Sequence, residues 1–192
     1  MTALVEPLLH PSLSPLVFAI NTAGAEYDID PCLIAAIAEE ESTWNPRAVS
    51  FDGNYGRGLL LVDSAFHPFA EDGVVYEDPA RWIVGVRRTG KAVDVPASIK
   101  NGAPVFDPLA ILRYACANIL APAFAHFKNR PDRDICVISS YSAGIAAVDR
   151  AIARGEAPEH STCDPAYVAK IAASRAALAG TSRENAELHL GR

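Results

Sequence analysis

Three of the four Asp-Pro pairs are followed by apolar residues at helical spacing, and they constrain the fold of this 192-residue chain more than any other feature. These three pairs are Asp30-Pro31, Asp107-Pro108 and Asp164-Pro165. An aspartate can cap a helix N-terminus, and proline suits the first helical turn because its missing N–H has no partner there. We therefore predict helices over about 30–42, 108–122 and 165–180, with Pro122 ending or kinking the second and Gly180 ending the third.

Shorter helices and a β-containing lobe complete the predicted architecture. Apolar periodicity predicts further helices over about 14–26, 132–141 and 145–154. Glycine, proline and asparagine are frequent over about 49–104, which favours a small β or irregular insert, with strands near 82–86 and 92–95. We expect one mainly α (α+β) domain over 1–192, with a frayed tail over about 181–192.

Charge and composition exclude several classes of function. Half of the residues are hydrophobic, enough for a sizeable core, while 17 Lys and Arg against 23 Asp and Glu give a net charge of -6. That charge opposes the phosphate attraction on which nucleic-acid binders rely. Every apolar run falls short of the roughly 18 residues of a membrane span. We expect a monomer that binds no nucleic acid and does not insert into membranes.

Neither the cysteines nor the N-terminus indicates a metal site or export. Cys32, Cys116, Cys136 and Cys163 lie far apart, and the histidines show no ligand-like spacing, so we expect no metal and no cofactor. Buried reduced thiols are favoured over two disulfides. Residues 1–15 have no Lys or Arg ahead of their apolar residues, which argues against a secretory signal and for synthesis in the cytoplasm.

Glu41 is the first candidate for a catalytic residue. In a helical projection it lies in the centre of the apolar stripe of Ile34 and Ile37, whereas Glu39 faces the opposite side. Three adjacent carboxylates at a helix C-terminus are opposed by the helix dipole and by one another, so at least one should favour its neutral form. Two interpretations stay open: a frayed last turn that exposes Glu41, or a desolvated acid that donates a proton.

A glycine-rich stretch, Asp52-Gly53-Asn54-Tyr55-Gly56-Arg57-Gly58, follows this helix. Glycines let the backbone turn tightly and let a ligand approach closely. The stretch lacks the Lys-Ser/Thr end of a phosphate loop and the regular oxygen ligands of a calcium loop. An ordinary turn with solvated aspartates remains the alternative to a ligand-binding loop.

Four short motifs occur along the chain in a fixed order. They are Glu41-Ser42, then Gly58-Leu59-Leu60-Leu61-Val62-Asp63 with Asp52 six residues before its glycine, then Tyr141-Ser142-Ala143-Gly144, and finally Thr162 with Tyr167-Val168. Together they resemble the lysozyme-like superfamily, and its goose-type lysozymes more closely than its soluble lytic transglycosylases. The resemblance covers about residues 20–178, with 73–105 unmatched.

The resemblance implies a lysozyme-like helical domain with a small β-containing lobe across a cleft. It also implies a glycoside hydrolase that cleaves the β-1,4 bond between N-acetylmuramic acid and N-acetylglucosamine in peptidoglycan. By the same resemblance, Glu41 is the general acid, and Asp52 and Asp63 position the attacking water in an inverting reaction. Leu61 stands where the family has Gln, and Ser142 where it has Asn.

Candidate substrate-binding residues surround these carboxylates. Trp44 and Tyr55 are aromatic groups for stacking on sugar faces, with simple packing as an equal alternative. Tyr141 would position substrate or Glu41, or belong to the core, and His67 would shape its loop. The full set of candidates is Ser42, Trp44, Tyr55, Leu61, His67, Tyr141 and Ser142.

Two alternatives to hydrolysis stay open. A lytic transglycosylase needs Glu41 alone, because its nucleophile is the substrate itself, and a degenerate sugar-binding or structural module needs no catalysis. In each case the expected partner is the peptidoglycan glycan strand. An acidic protein lacks electrostatic attraction to anionic walls, so we expect it to reach the wall after phage-type or non-classical release.

Overall fold

The computed structural model describes residues 14–46, 48, 56–63 and 108–190. Its elements in chain order are α1 (Ser14–Tyr27), α2 (Pro31–Ser42), β1 (Gly56–Arg57), β2 (Val62–Asp63), α3 (Pro108–Ala115), a π-helical turn (Cys116–Leu120), α4 (Ala121–His126), α5 (Arg133–Ala143), α6 (Ile145–Ala153), a 3-10 turn (Pro158–Ser161) and α7 (Tyr167–Leu190). The prediction of a mainly helical fold is confirmed. The predicted strands at 82–86 and 92–95 and the predicted cap at Asp107 lie outside the described residues.

Helix α2 forms the centre of the core. All eight residues from Pro31 to Ala38 are buried, as expected for a helix that is apolar around its whole circumference. Asp30 caps the N-terminus as predicted, since its Oδ1 accepts a hydrogen bond from the N–H of Cys32 at 2.9 Å. A Cβ on Gly24 of α1 would lie 2.9 Å from the Pro31 Cγ, so a glycine lets α1 approach α2 closely.

Residues 108–126 form one continuous helical segment, and Pro122 does not end it. The π-helical turn comes just before the proline, and the N–H of Ala121 bonds to the carbonyl of Cys116. Proline lacks the N–H that an α-helix directs at the carbonyl four residues earlier, and its ring crowds that carbonyl. A π-helical turn loosens the hydrogen-bond ladder at this point, so the helix passes through the proline.

This segment also corrects the expectation about apolar length. The 19 residues from Pro108 to His126 have a mean hydropathy of 1.3, which by length and composition is enough to cross a membrane. One third of this stretch is buried in the protein, including Ile111, Leu112 and Leu120. Core helices of soluble proteins pass the same test, so the absence of membrane insertion stays an expectation.

Helix α7 continues through Gly180 to Leu190, so the predicted stop at Gly180 is wrong, while fraying of the tail over about 181–192 stays a prediction. An interior glycine costs a helix about 1 kcal/mol relative to alanine. Alanine is frequent before Gly180, and glutamate and leucine recur after it; all three are strong helix formers and offset that cost. The helix start agrees with the prediction, because Asp164 Oδ1 accepts from the N–H of Ala166 at 2.8 Å.

The cysteines are free thiols, and three of them are buried as predicted. Burial, followed by the charge of Glu26, raises the pKa of Cys116 to about 12. Cys163 is the exception, because it is exposed in the turn before α7. The prediction of burial is therefore wrong for Cys163, which belongs to no helix and so to no apolar face.

Candidate active site

Glu41 lies in an intact last turn of α2. The helix extends to Ser42, and the N–H of Thr43 bonds to the carbonyl of Glu39 at 2.9 Å. Thr43 adopts a left-handed conformation with φ 53°, which turns the chain away from the helix. Glu41 is half-buried and Glu39 is exposed, as the helical projection predicted. The interpretation of a frayed turn is therefore wrong.

The Glu41 carboxyl group is held by a tyrosine from the far end of the chain. The hydroxyl of Tyr167, the first residue of α7, donates to Glu41 Oε1 at 2.5 Å. Tyr167 is 2% exposed, so the phenol is fixed by packing. A short hydrogen bond to a fixed donor holds the carboxyl group in one orientation, which a proton donor needs.

The hairpin formed by β1 and β2 inserts its loop into the core. The strands are antiparallel, with Gly56 opposite Asp63, and the loop closes with a bond from the N–H of Leu61 to the carbonyl of Gly58 at 3.1 Å. Leu59 and Leu60 at the tip are 0% exposed. Most hairpin loops face solvent, so the burial of Leu59 and Leu60 distinguishes this loop from most others, while the structure does not describe Asp52 of the glycine-rich stretch.

Two of the sequence motifs satisfy the carbonyl groups of this buried loop. Ser42 Oγ lies 2.6 Å from the carbonyl oxygen of Leu59, and the hydroxyl of Tyr141 donates to the carbonyl oxygen of Leu60 at 2.5 Å. Buried carbonyl groups need such partners because they have left water. The loop is thereby attached to α5 and to the turn of α2 that carries Glu41.

A comparison with known protein families agrees with the resemblance that the four sequence motifs carry. The model of the transglycosylase SLT domain matches residues 18–163. This chain belongs to the SLT transglycosylase domain family. No curated protein sequence matches it significantly. Membership implies a peptidoglycan-degrading enzyme with activity like that of a lytic transglycosylase, and peptidoglycan as the bound substrate.

In this SLT domain, the other predicted site residues of the hairpin and α5 lie close to these attachments. Asp63 is half-buried in β2, and Ser142 is half-buried next to Tyr141. Leu61 is half-buried with φ 44°, a left-handed conformation that costs a branched residue about 1 to 2 kcal/mol. The predicted contacts of Ser42, Leu61, Tyr141 and Ser142 with substrate stay predictions.

Trp44 has a different environment from the one expected for a sugar-stacking residue. It is 8% exposed and packs in the core of the SLT domain. It lines a groove of about 550 Å³ between α2 and α7, together with Glu39, Glu40 and Ser174, whereas Glu41 is not among the lining residues. The structure thus favours the packing interpretation of Trp44.

Three predicted site residues, Asp52, Tyr55 and His67, lie outside the described residues. Within the described ranges, no group of three His, Cys, Asp or Glu side chains is arranged to hold a metal ion. The distance between Asp52 and Glu41 stays a prediction, as does the absence of a cofactor.

In the sequence, Tyr167 stands out only as part of a motif, and its contact with Glu41 is not predicted. The contacts of the neighbouring glutamates with α7 are not predicted either: Lys170 binds Glu40, and Ser174 binds Glu39. The available signal was spacing, since residues 167, 170 and 174 follow the i, i+3, i+7 pattern of one helix face.

Proposed function

We propose that this SLT domain cleaves the β-1,4 bond between N-acetylmuramic acid and N-acetylglucosamine as a lytic transglycosylase, with Glu41 as its general acid. The observation that carries the proposal is the hydrogen bond from buried Tyr167 to the half-buried Glu41 carboxyl group. A general acid works when its carboxyl group is held within reach of the leaving oxygen, and its pH range is set by its surroundings.

The reaction needs one carboxyl group that acts twice. Glu41 gives its proton to the glycosidic oxygen while the bond from that oxygen to C1 of muramic acid breaks. The resulting carboxylate then takes the proton of a hydroxyl group on the same sugar, and the oxygen of that hydroxyl bonds to C1. The acid is regenerated, and the product is an anhydro sugar that is lighter by one water than the product of hydrolysis.

Hydrolysis is the second candidate, and Asp63 is the observation that favours it. Asp63 lies in the hairpin whose Leu59 carbonyl is bound by Ser42, so the hairpin that carries this second carboxylate is joined to the turn of α2 that carries Glu41. An inverting hydrolase places its two carboxyl groups about 6.5 to 9.5 Å apart, with the attacking water between them. Asp63, with Asp52, would hold that water.

Digestion of purified peptidoglycan sacculi tests both candidates. Mass spectrometry of the soluble fragments should find anhydro products, lighter by one water, whereas free reducing ends would indicate hydrolysis. Glu41→Gln should lower the rate by about 10² or more, and Glu39→Gln, the exposed neighbour, should keep it. More than a tenth of the wild-type rate in Glu41→Gln, or no fragments from the wild-type protein, would contradict the proposal.

Asp63→Asn separates the two mechanisms further. A transglycosylase should be nearly indifferent to the change, because no water is activated. If the protein is a hydrolase, its rate should fall by a factor of about 10² or more in Asp63→Asn, and the wild-type protein should release products with free reducing ends.

A further inference from the structure

Three consecutive glutamates of α2 are each bound by one residue of a single α7 face. Tyr167 binds Glu41, Lys170 binds Glu40, and Ser174 binds Glu39. The residue numbers of the partners run in opposite directions: as the number on α7 rises, the number of the bound glutamate on α2 falls. Of these three donors only Lys170 carries a charge.

Lys170 binds two carboxylates at once. Its Nζ lies 2.9 Å from Glu40 Oε1 and 2.9 Å from Asp164 Oδ2. The hydrogen bonds that Lys170 donates to Asp164 and to Glu40 raise the pKa of its amine above the ordinary value, which favours the charged form. The negative charge of Glu40, the residue before Glu41, is thereby opposed by a positive charge that Asp164 also holds in place.

The position of this cation matters because Glu41 lies at a helix C-terminus. The helix dipole and neighbouring carboxylates both favour the neutral form of an acid there. A general acid that must next act as a base needs both forms within reach at the working pH. Lys170, which lies one helical turn after Tyr167, is a cation, and its charge favours the ionised form of Glu41.

We propose that Lys170 is a positioning residue that sets the pH at which Glu41 exchanges its proton, acting through Glu40 and Asp164. This inference rests on the proposed role of Glu41 as the general acid. The action is electrostatic: removing the cation should shift proton loss from Glu41 to higher pH, and removing the Glu40 charge should shift it to lower pH.

Other charged and titratable groups lie on the elements that are hydrogen-bonded to this turn or to the hairpin. Among the described residues they include Glu39 on α2, Tyr167 on α7, Tyr141 on α5 and Asp63 on the hairpin. Helix α1 meets α2 at the opposite end, where Arg175 of α7 binds Asp30. None of these groups changes in the variants proposed below.

The titration of Glu41 is measured directly by NMR of carboxyl carbons in full-length protein labelled with ¹³C-glutamate. Glu41→Gln assigns the signal. Lys170→Met should raise the midpoint by about 0.3 to 0.7 pH unit at low ionic strength, with a smaller change in 0.5 M salt. Glu40→Gln should lower the midpoint, and Lys170→Arg should restore the wild-type value. Lys128→Met, which removes an exposed lysine outside this junction, should change nothing.

The alkaline limb of sacculus digestion against pH should move with the NMR midpoint. An unchanged midpoint in Lys170→Met would overturn the inference, as would midpoint shifts of the same sign in Lys170→Met and Glu40→Gln. A merely structural role of Lys170 does not predict shifts of opposite sign in these two variants. If the midpoints move as expected while the activity limb does not, the influence of Lys170 stands and the general-acid role of Glu41 fails.

Discussion

The end of α2 that carries Glu41 and the region around α6 are held together by different kinds of contact. At the first, the hydroxyl groups of Ser42, Tyr141 and Tyr167 each meet an acceptor that is buried or half-buried. Around α6, a small apolar cluster is accompanied by exposed ion pairs such as Arg154 with Glu156 at 2.7 Å, whose side chains are 57% and 39% exposed.

The loss of one hydrogen bond has a different cost in each of these two regions. A buried acceptor without its donor keeps the full cost of leaving water, about 1 to 3 kcal/mol. An exposed ion pair is screened by solvent and contributes about 0 to 1 kcal/mol in general. We therefore expect the Glu41 end of α2 to tolerate few changes and the α6 region to tolerate many.

Tyr167→Phe should have the largest effect on activity. The change keeps the buried ring but removes the hydrogen bond that orients Glu41, and hydrogen bonds to charged groups contribute about 1.5 to 3 kcal/mol. We expect kcat on sacculi to fall about 10- to 100-fold while the circular dichroism spectrum is retained. Tyr27→Phe, at a half-buried tyrosine of α1, is the matched control and should leave kcat unchanged. Equal rates in both variants would mean that packing alone orients Glu41.

Tyr141→Phe should have the largest effect on stability. It leaves the carbonyl of Leu60, a residue that is 0% exposed, without its hydroxyl donor. We expect the free energy of unfolding in urea to fall by about 1 to 3 kcal/mol. Arg154→Met in the α6 region should cause no measurable change in the same experiment. If the two variants were equally stable, the contrast between the regions would be wrong.

A smaller effect is expected from acid titration of Asp134, which Arg175 joins to the cap of α2. Burial raises the pKa of Asp134, but hydrogen bonds from Arg175 and Arg133 more than offset it, so the pKa lies below its ordinary value. A lowered pKa contributes stability above about pH 4 that is lost as the pH falls through the folded-state value.

Asp134→Asn should therefore flatten the fall in melting temperature between about pH 5 and pH 2.5, by the equivalent of up to about 1 kcal/mol after solvent screening. The pKa of Glu156 is also lowered, by its hydrogen bond with Arg154. That pair is exposed, so Glu156→Gln should keep the wild-type slope. A steeper fall in melting temperature with falling pH in Asp134→Asn would contradict the stabilising role of the Asp134 charge.

Local signals in the sequence were sufficient for most of the helices that the structure describes. The Asp30 cap followed by Pro31 predicted the start of α2, and apolar periodicity placed α5 and α6 within about two residues of their observed bounds. The residues that produce these signals lie within one or two helical turns of each other, so the signals can be recognised from the sequence alone. The position of Glu41 on the inner side of α2 follows from the same periodicity.

Local signals failed where neighbouring structure outweighed them. Pro122 and Gly180 are ordinary stop signals, yet both lie inside continuous helical segments. A π-helical turn compensates the proline, and strong helix formers on both sides compensate the glycine. Neither compensation can be recognised from the single residue that signals the stop.

The hydrogen-bond partners of the candidate site residues depend on the packing of distant segments of the chain. Glu41 and Tyr167 are 126 residues apart, and Tyr141 and Leu60 are 81 residues apart. The sequence shows that a carboxylate, two phenols and a run of three leucines after a glycine exist, because their residue types and local spacing can be read from it. Which hydroxyl meets which acceptor depends on how α2, α5, α7 and the hairpin pack, since the burial that makes these bonds necessary exists only once the helices have come together.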